Sequence, residues 1–510
     1  MKTGKTVALG AKKLTLEDVE LVATGSPIEL SSEAKARVDE SRQLVEEKAA
    51  SDTPVYGVTT GFGGLAEVKI PASDLAALQR NLILSHSAGV GRPLSREETR
   101  AMMMLRAQTL AEGFSGVRSQ VIELVLEMLN AGVHPVIPEK GSVGASGDLA
   151  PLAHLALGMI GEGMVEFENQ VIPAMDGLAR ASLRPLEPKA KEGLSLVNGT
   201  QAMAAIGSLA LLRAERLCKL ADIAGAMTLE GLNGIAAAFD ERVQQIRPHH
   251  GQAICAENLR LLLKGGDTAT QTRGNRVQDP YSLRCMPQVH GATRDALDYA
   301  RRVFEIEINS ATDNPLVFAK EGDIISGGNF HGQPLALALD FAAIALAEIG
   351  NISERRVEQL VNPTLSGLPP FLVKESGIHS GYMMAQVTAA SLVNENKILA
   401  NPASTDSIPG SASREDHVSM GMTSARKLRE IAANTQAILA VEILCATQAI
   451  DLRAATNLGH GVAAAHHAVR KSVPHLDGDR LLSRDMEAVI SLEKNGSIRN
   501  AVEATVGDLK

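Results

Sequence analysis

Long runs rich in alanine and leucine occupy much of the chain after Val197, and they constrain the fold more than any other feature. Alanine and leucine are among the strongest helix formers, whereas the aromatic residues that favour sheets make up only 3% of the 510 residues and tryptophan is absent. We therefore predict a mainly α protein whose second part, residues 196–510, is a bundle of long helices. The runs cover residues 201–239, 292–309, 334–362, 382–400 and 423–454.

Residues 1–195 have a different pattern, with helices of medium length and short strand-like pieces between glycines and prolines. We expect a smaller mixed N-terminal region here, and no low-complexity linker separates it from the long helices. Several of the long helices are apolar nearly all round and need partners on more than one side, so we expect an oligomer. The predicted helices of this first region cover residues 15–24, 32–50, 71–89, 95–113 and 115–131.

Charge and cysteine content argue against several classes of function. The net charge of -9 is spread along the chain without a basic stripe, which makes nucleic acid an unexpected partner. The four cysteines are far apart and the histidines have no metal-ligand spacing, so we predict neither a disulfide framework nor a metal site. The N-terminus lacks the apolar core of a signal peptide, and we expect no run to approach the roughly 18 apolar residues of a membrane span. These features favour a cytoplasmic protein without membrane contact.

Small residues surround a single serine in the segment GSVGASGDLAP, residues 141–151. One interpretation is a glycine-rich turn, with Asp148 as the N-cap of a helix and Pro151 in its first turn. A chemical interpretation is also open, because the amide nitrogen of Gly147 can close onto the carbonyl carbon of Ala145. Loss of two waters, the second from Ser146, would leave a five-membered imidazolone ring with a methylidene group. That ring would be a carbon electrophile, which the ordinary side chains lack.

The whole segment resembles the signature of the histidine and aromatic amino acid ammonia-lyases, and similar motifs follow in the same order between residues 54 and 451. The resemblance implies the prosthetic group 4-methylideneimidazol-5-one (MIO), formed autocatalytically from Ala145, Ser146 and Gly147. It also implies a homotetramer whose long helices form a central bundle. In such a tetramer each active site draws residues from three subunits.

Ammonia elimination requires an electron sink, a base, a clamp for the substrate carboxylate and recognition of the substrate side chain. The resemblance makes the methylidene carbon from Ser146 the electrophile and Tyr56, in PVYGVTTGFGG, the base. A phenol with a pKa of about 10 acts as a base near neutral pH only if positive charge or hydrogen-bond donors stabilise it. Arg284, in RVQDPYSLRCMPQVHGA, can hold a carboxylate through two parallel hydrogen bonds.

The resemblance assigns positioning roles to four further residues. It implies that Asn198 helps to bind the carboxylate and that Gln278 and Tyr281 position substrate and cofactor, with Tyr281 in a catalytic role. It also implies that Phe330 packs beside the cofactor. Turns, helix caps and a buried anchoring ring remain ordinary structural interpretations of these residues.

Recognition of the substrate ring depends on His86 and Glu415. A neutral imidazole has one donor and one acceptor nitrogen, so a histidine and a carboxylate together satisfy both. The resemblance implies that phenylalanine ammonia-lyases have an apolar residue at the position of His86 and glutamine at the position of Glu415. It also implies that Met383 of this chain lines the same pocket as an apolar wall. We therefore expect conversion of L-histidine to trans-urocanate and ammonia. Arg414 is a neighbouring cation that could pair with Glu415 instead.

Two other functions remain open from the residues. A tyrosine or phenylalanine ammonia-lyase, or an aminomutase with the same cofactor, would share Tyr56, Arg284 and the cofactor segment. A serine hydrolase that uses Ser146 is less favoured, because the residues around it do not follow the GxSxG pattern.

Overall fold

The computed structural model describes residues 5–51, 54–270, 277–453 and 457–510. Over these residues the chain forms twenty-one α-helices and nine strands of two to four residues. The prediction of a mainly α protein built on long helices is confirmed. The helices are α1 (Leu16–Ala23), α2 (Ser32–Ala49), α3 (Leu75–His86), α4 (Arg96–Ala111), α5 (Ser119–Ala131), α6 (Leu149–Met159), α7 (Ala174–Arg180), α8 (Glu192–Val197), α9 (Gln201–Gly231), α10 (Glu241–Gln245), α11 (His250–Leu263), α12 (Asp267–Thr270), α13 (Tyr281–Arg284), α14 (Met286–Glu307), α15 (Gln333–Val361), α16 (Pro363–Ser366), α17 (Met383–Leu399), α18 (Gly421–Arg453), α19 (His460–Arg470), α20 (Leu482–Lys494) and α21 (Ser497–Val506).

The strands form small separate sheets. β1 pairs with β2 in parallel, and β3 pairs with β5 in antiparallel orientation. An antiparallel sheet of three strands contains β4, β6 and β7. The last two strands, β8 and β9, form an antiparallel pair. The strands are β1 (Val7–Leu9), β2 (Ile28–Leu30), β3 (Val90–Pro93), β4 (His134–Pro135), β5 (Pro138–Lys140), β6 (Met164–Phe167), β7 (Gln170–Pro173), β8 (Leu316–Phe318) and β9 (Asp323–Ile325).

The ends of two predicted helices differ from the structure for local reasons. The run predicted over residues 201–239 ends as a helix at Gly231, because Asn233 adopts a left-handed φ of 52° and closes the terminus. The helix predicted from residue 115 begins only at Ser119, since Gly116 has a φ of 67° that no α-helix accepts. Residue 454, the predicted end of the last run, lies outside the described residues.

Backbone contacts divide the chain into two compact units. The predicted change of architecture near residue 195 stays a prediction, because the units follow contacts and not helix length. The first unit comprises Met1–Leu212, Ala300–Asp340 and Pro402–Arg426, and the second Arg213–Tyr299, Phe341–Asn401 and Lys427–Lys510.

Three helices of the first unit pack against one another and bring their ends together. These are α3, α6 and α8. α3 ends at His86, α6 begins directly after Asp148, and α8 ends directly before Asn198. This packing therefore gathers three separate segments of the chain that contain predicted site residues.

Two helices, α15 and α18, are long and apolar enough to cross a membrane by length and composition alone. Charged residues such as Asp340 and Glu442 interrupt both helices, so they pass on mean hydropathy and not as the uninterrupted run of about 18 apolar residues that the sequence analysis considered. The most apolar windows of the two helices are 67% and 83% buried inside the protein, which is typical of core helices. Their length is therefore weak evidence for membrane contact.

Candidate active site

Two glycines hold the segment 141–148 in place through close backbone approaches. Gly147 has a φ of 71°, and a Cβ atom there would lie 2.0 Å from the carbonyl oxygen of Gly199. The amide of Asp148 donates to that same oxygen at 2.6 Å. Gly144 has a φ of 70°, and a Cβ atom there would lie 2.1 Å from Oγ of Ser419. Glycine is thus required on both sides of the Ala-Ser pair.

Asp148 stands at the N-cap position of α6, as predicted, and Pro151 lies in the first turn of that helix. Its carboxylate makes no hydrogen bond to α6 and instead accepts one from the amide of Met203, at 2.8 Å, near the start of α9. The other oxygen accepts a hydrogen bond from Oγ of Ser142 at 2.9 Å. Burial raises the pKa of Asp148 to about 6. The carboxylate therefore joins the serine-containing segment to a second helix.

A cavity of about 720 Å³ in the first unit borders this segment. Apolar side chains, among them Leu82, Leu194 and Val197, form part of its wall. The structure thus brings together most of the residues that the sequence suggested for chemistry. The predicted site residues that line the cavity are Tyr56, His86, Ala145, Ser146, Asn198, Phe330 and Glu415.

The two residues expected to recognise a ring lie on this wall. The hydroxyl of Ser146 donates a hydrogen bond to Oε1 of Glu415 at 2.7 Å. His86 is half-buried, and this burial lowers the pKa of its imidazole, although Glu415 opposes the shift. The guanidinium of Arg414 lies 4.0 Å from Oε1 of Glu67. The ion pair that Arg414 makes is thus with Glu67, and the carboxylate of Glu415 faces the serine.

Tyr56 and Asn198 contribute polar atoms to the cavity. The phenol oxygen of Tyr56 accepts a hydrogen bond from the amide of Gly63 at 3.4 Å. The side-chain amide of Asn198 donates to the carbonyl of Asn314 at 3.0 Å, while its Oδ1 atom is buried and has no partner among the described residues. A buried acceptor of this kind fits a site that receives a donor from a bound molecule.

A buried cation lies behind Asn198. The guanidinium of Arg106 is fully buried and donates to the carbonyl of Asn198 at 2.7 Å and to Oε1 of Gln201 at 2.8 Å. Burial lowers the pKa of Arg106 to about 10, so the side chain remains charged at neutral pH. The positive charge of Arg106 therefore lies directly behind Asn198, which lines the cavity.

Gln278, Tyr281 and Arg284 form a cluster in the second unit, whereas the residues that line the cavity belong to the first. The guanidinium of Arg284 lies 4.6 Å from the ring centre of Tyr281, and its Nε donates to the carbonyl of Asp279 at 2.9 Å. With its amide oxygen turned towards Arg284, Gln278 accepts from both terminal nitrogens at 2.8 and 2.9 Å. Met383, the first residue of α17, also belongs to the second unit.

His331 and His417 line the cavity but were missed in the sequence. Their rings lie parallel, with 5.8 Å between the ring centres and an angle of 4°. The available signal was position alone, because His331 follows Phe330 and His417 stands two residues after Glu415. Neither spacing indicates a role without the fold.

A second polar cluster lies buried in the second unit. The carboxylate of Asp222 accepts hydrogen bonds from Sγ of Cys255 at 3.1 Å and from Nδ1 of His290 at 2.8 Å. It also accepts bonds from Asn258 at 2.9 Å and from Arg294 at 2.5 Å. The three potential metal ligands, Asp222, Cys255 and His290, are thus engaged in a hydrogen-bond network that already contains a cation.

The sequence is similar to those of known enzymes over most of its length. Residues 14–471 match the family model described as aromatic amino acid lyase. A histidine ammonia-lyase from Stigmatella aurantiaca is 57% identical over 493 residues, which cover 96% of this chain and 96% of the relative.

Two solved structures extend the likeness to the fold. Histidine ammonia-lyase from Trypanosoma cruzi has a TM-score of 0.92 and 42% identity, covering 98% of this chain and 96% of that one. Tyrosine aminomutase from Streptomyces globisporus has a TM-score of 0.94 and 39% identity, covering 99% of this chain and 100% of that one. The mainly helical fold and the serine-lined cavity are therefore those of an enzyme of the lyase class. The chain belongs to the aromatic amino acid lyase family.

Proposed function

We propose that this protein is a histidine ammonia-lyase, which eliminates ammonia from L-histidine to give trans-urocanate. The observation that carries the proposal is the cavity wall on which Ser146 meets Glu415 at 2.7 Å, with His86 on the same wall. The relatives that are more than half identical and bear this name support it.

We propose MIO, formed from Ala145, Ser146 and Gly147, as the prosthetic group. The residues fit such a group, because Ala145 and Ser146 line the cavity and Gly147 stands where a Cβ atom would meet Gly199 at 2.0 Å. When formed, this group supplies the carbon electrophile that converts the substrate's amine into a good leaving group or reacts with its ring.

Tyr56 is proposed to take the β proton of the substrate. Its phenol oxygen accepts a hydrogen bond from the amide of Gly63 at 3.4 Å, which orients the hydroxyl. Tyr56 lines the same cavity as Ala145 and Ser146, which places its hydroxyl in the space where a substrate would bind.

Glu415 and His86 are proposed to hold the imidazole of the substrate. The carboxylate accepts from a ring N–H, and a neutral His86 serves the other ring nitrogen as donor or acceptor. Burial lowers the pKa of His86 and so favours this neutral form. A phenyl ring would leave the carboxylate without a partner, which costs free energy in a half-buried site.

Arg284 and Asn198 are proposed to hold the substrate carboxylate, Asn198 through the side-chain N–H that is not donated to Asn314, because a carboxylate only accepts. Gln278, Tyr281 and Met383 are proposed to complete the pocket. Arg284 and these three residues would come from other subunits of a homotetramer. The exposure of Tyr281, 71%, supports this arrangement, because it leaves the cluster around Arg284 open to a partner. Exposed apolar side chains on α17, such as Met384 and Val387, also fit a helix that is covered in an oligomer.

We further propose a cytoplasmic location. The support is chemical, since the four cysteines are free and three of them are buried, as is common in proteins of a reducing compartment.

A second candidate function is a tyrosine or phenylalanine ammonia-lyase or aminomutase with the same cofactor. The observation that favours it is the TM-score of 0.94 with a tyrosine aminomutase. The two functions require different side chains around the substrate ring. Glu415 and His86 suit an imidazole ring better than a phenyl or phenol ring.

Two measurements on purified protein test the proposal. Intact mass should lie below the sequence mass by two waters and a near-ultraviolet absorbance should be present, which tests the cofactor. Incubation with L-histidine, L-tyrosine and L-phenylalanine should release ammonia and an unsaturated acid from histidine by a wide margin. Preferred turnover of tyrosine or phenylalanine, or appearance of a β-amino acid, would establish the second candidate instead.

A further inference from the structure

The loop that contains Glu415 is held in place by His331, a residue to which the proposed function assigns no role. Within the loop, the amide of Gly410 donates to the carbonyl of Glu415 at 2.9 Å, and the return bond measures 3.4 Å. Ser411, Ala412 and Ser413 at its tip have φ values of 49°, 53° and 64°, which are unfavourable for residues other than glycine. A loop with such a backbone needs contacts outside itself to keep one conformation.

His331 supplies such a contact. Its Nε2 lies 3.1 Å from the carbonyl oxygen of His417, two residues after Glu415. A carbonyl oxygen only accepts, so Nε2 carries the hydrogen and donates it. Nδ1 of the same ring accepts from the amide of Gln333 at 3.3 Å. The two bonds together select the tautomer with its hydrogen on Nε2.

The loop before α15 that contains His331 is itself tied to the serine segment. The amide of Gly332 lies 3.4 Å from the carbonyl oxygen of Gly144, and Oγ of Ser419 donates to that same oxygen at 2.9 Å. His331 is therefore placed between the segment that contains Ser146 and the loop that contains Glu415.

We propose that His331 is a positioning residue for Glu415. Its Nε2–H holds the backbone after Glu415 at the distance that brings the carboxylate to Ser146, and hence to the substrate ring. The inference rests on the proposed function, since it assigns to His331 the support of the group that recognises imidazole. His331 makes this contribution through the main chain, so the ring of His417 is not required for it.

Two conservative substitutions separate the donor from the acceptor of His331. In His331→Gln, the amide nitrogen is the same number of bonds from the backbone as Nε2 and can still donate to His417. In His331→Asn, the side chain can replace Nδ1 as acceptor but is too short to reach His417. Gln333→Ala is the matched control, because it removes a neighbouring side chain and keeps the amide that His331 accepts from.

The experiment measures kcat and KM for L-histidine per mature subunit, with maturation taken from intact mass and stability from the thermal midpoint. We expect kcat/KM of His331→Asn to fall about 10- to 100-fold, because misplacement of a catalytic group by about 1 Å has effects of this size. The kcat/KM of His331→Gln should stay within about threefold of the wild-type value, because this is the smallest effect expected from the loss of one neutral hydrogen bond. The kcat/KM of Gln333→Ala should stay within the same range. The two-water mass deficit and the thermal midpoint should agree among all four proteins.

The outcomes separate this inference from the proposed function. A wild-type protein that leaves L-histidine unchanged contradicts the proposed function. If wild type converts L-histidine and His331→Asn equals His331→Gln, only the role of His331 is wrong. A loss of activity that follows the thermal midpoint or the immature fraction would also overturn the inference, because it would show a structural role alone.

Discussion

Ser146 donates its hydroxyl hydrogen to Oε1 of Glu415 across 2.7 Å, although 269 positions separate the two residues in the chain. The contact places a carboxylate against the residue whose β carbon would become the methylidene of MIO. The hydroxyl would leave as water when the ring forms, so the contact indicates where Glu415 lies relative to the future methylidene carbon.

Glu415→Gln should lower kcat/KM for L-histidine by about 10- to 150-fold, the size of the effect for a hydrogen bond to a charged group. Glutamine preserves the shape but removes the charge that binds the ring N–H. Steady-state kinetics on protein with confirmed two-water loss provides the measurement. Improved turnover of phenylalanine without loss of histidine turnover would contradict the assignment of the substrate.

Gly147→Ala should prevent formation of the cofactor, because the new Cβ atom would lie 2.0 Å from the carbonyl oxygen of Gly199. Intact mass should then show the full sequence mass without the two-water loss. Gly132→Ala is the matched control, since Gly132 has a similar φ of 77° but open space around its Cβ position. That variant should mature normally and lose about 1 kcal/mol of stability from backbone strain alone. Normal maturation of Gly147→Ala would show that the close approach does not matter.

The carboxyl of Asp148 should make stability depend on pH. Burial raises its pKa from 3.8 to about 6, so between these values the folded chain retains a proton that the unfolded chain releases. Stability contributed by this group is therefore complete below pH 3.8 and falls as pH rises towards 6, by about 3 kcal/mol in all.

Asp148→Asn removes this titration while its amide oxygen can still accept from Met203. The midpoint of urea denaturation, measured from pH 4 to 6.5, should fall less steeply with pH in the variant than in wild type. Parallel curves for the two proteins would mean that Asp148 does not titrate in this range. If the variant also kept full absorbance and turnover, the start of α6 would have no influence on the cofactor.

Mixed oligomers should test whether active sites are shared between subunits. Tyr56→Phe and Arg284→Gln should each be nearly inactive, because each lacks one proposed catalytic or binding group. If the two residues of one site come from different subunits, random mixing of the two variants by co-expression restores roughly a quarter of the sites. Activity of the mixture should thus reach roughly a quarter of wild type, whereas sites built within one subunit would give no recovery.

Much of the fold follows from local sequence patterns. The alanine- and leucine-rich runs became α9, α14, α15, α17 and α18 because helix propensity acts within a few residues. Asp148 occupies the predicted N-cap position for the same reason. The partner of its carboxylate could not be predicted, since Met203 belongs to another helix.

By itself, the sequence determined the helical class, the Ala-Ser-Gly segment and the residue types suited to an imidazole substrate, because composition and short motifs contain that information. Only the tertiary structure decided that Gly147 meets Gly199, that Arg414 pairs with Glu67 while Glu415 faces Ser146, and that His331 supports the loop of Glu415. Contacts of this kind join segments far apart in the chain, and helix packing, which no local pattern encodes, brings them together.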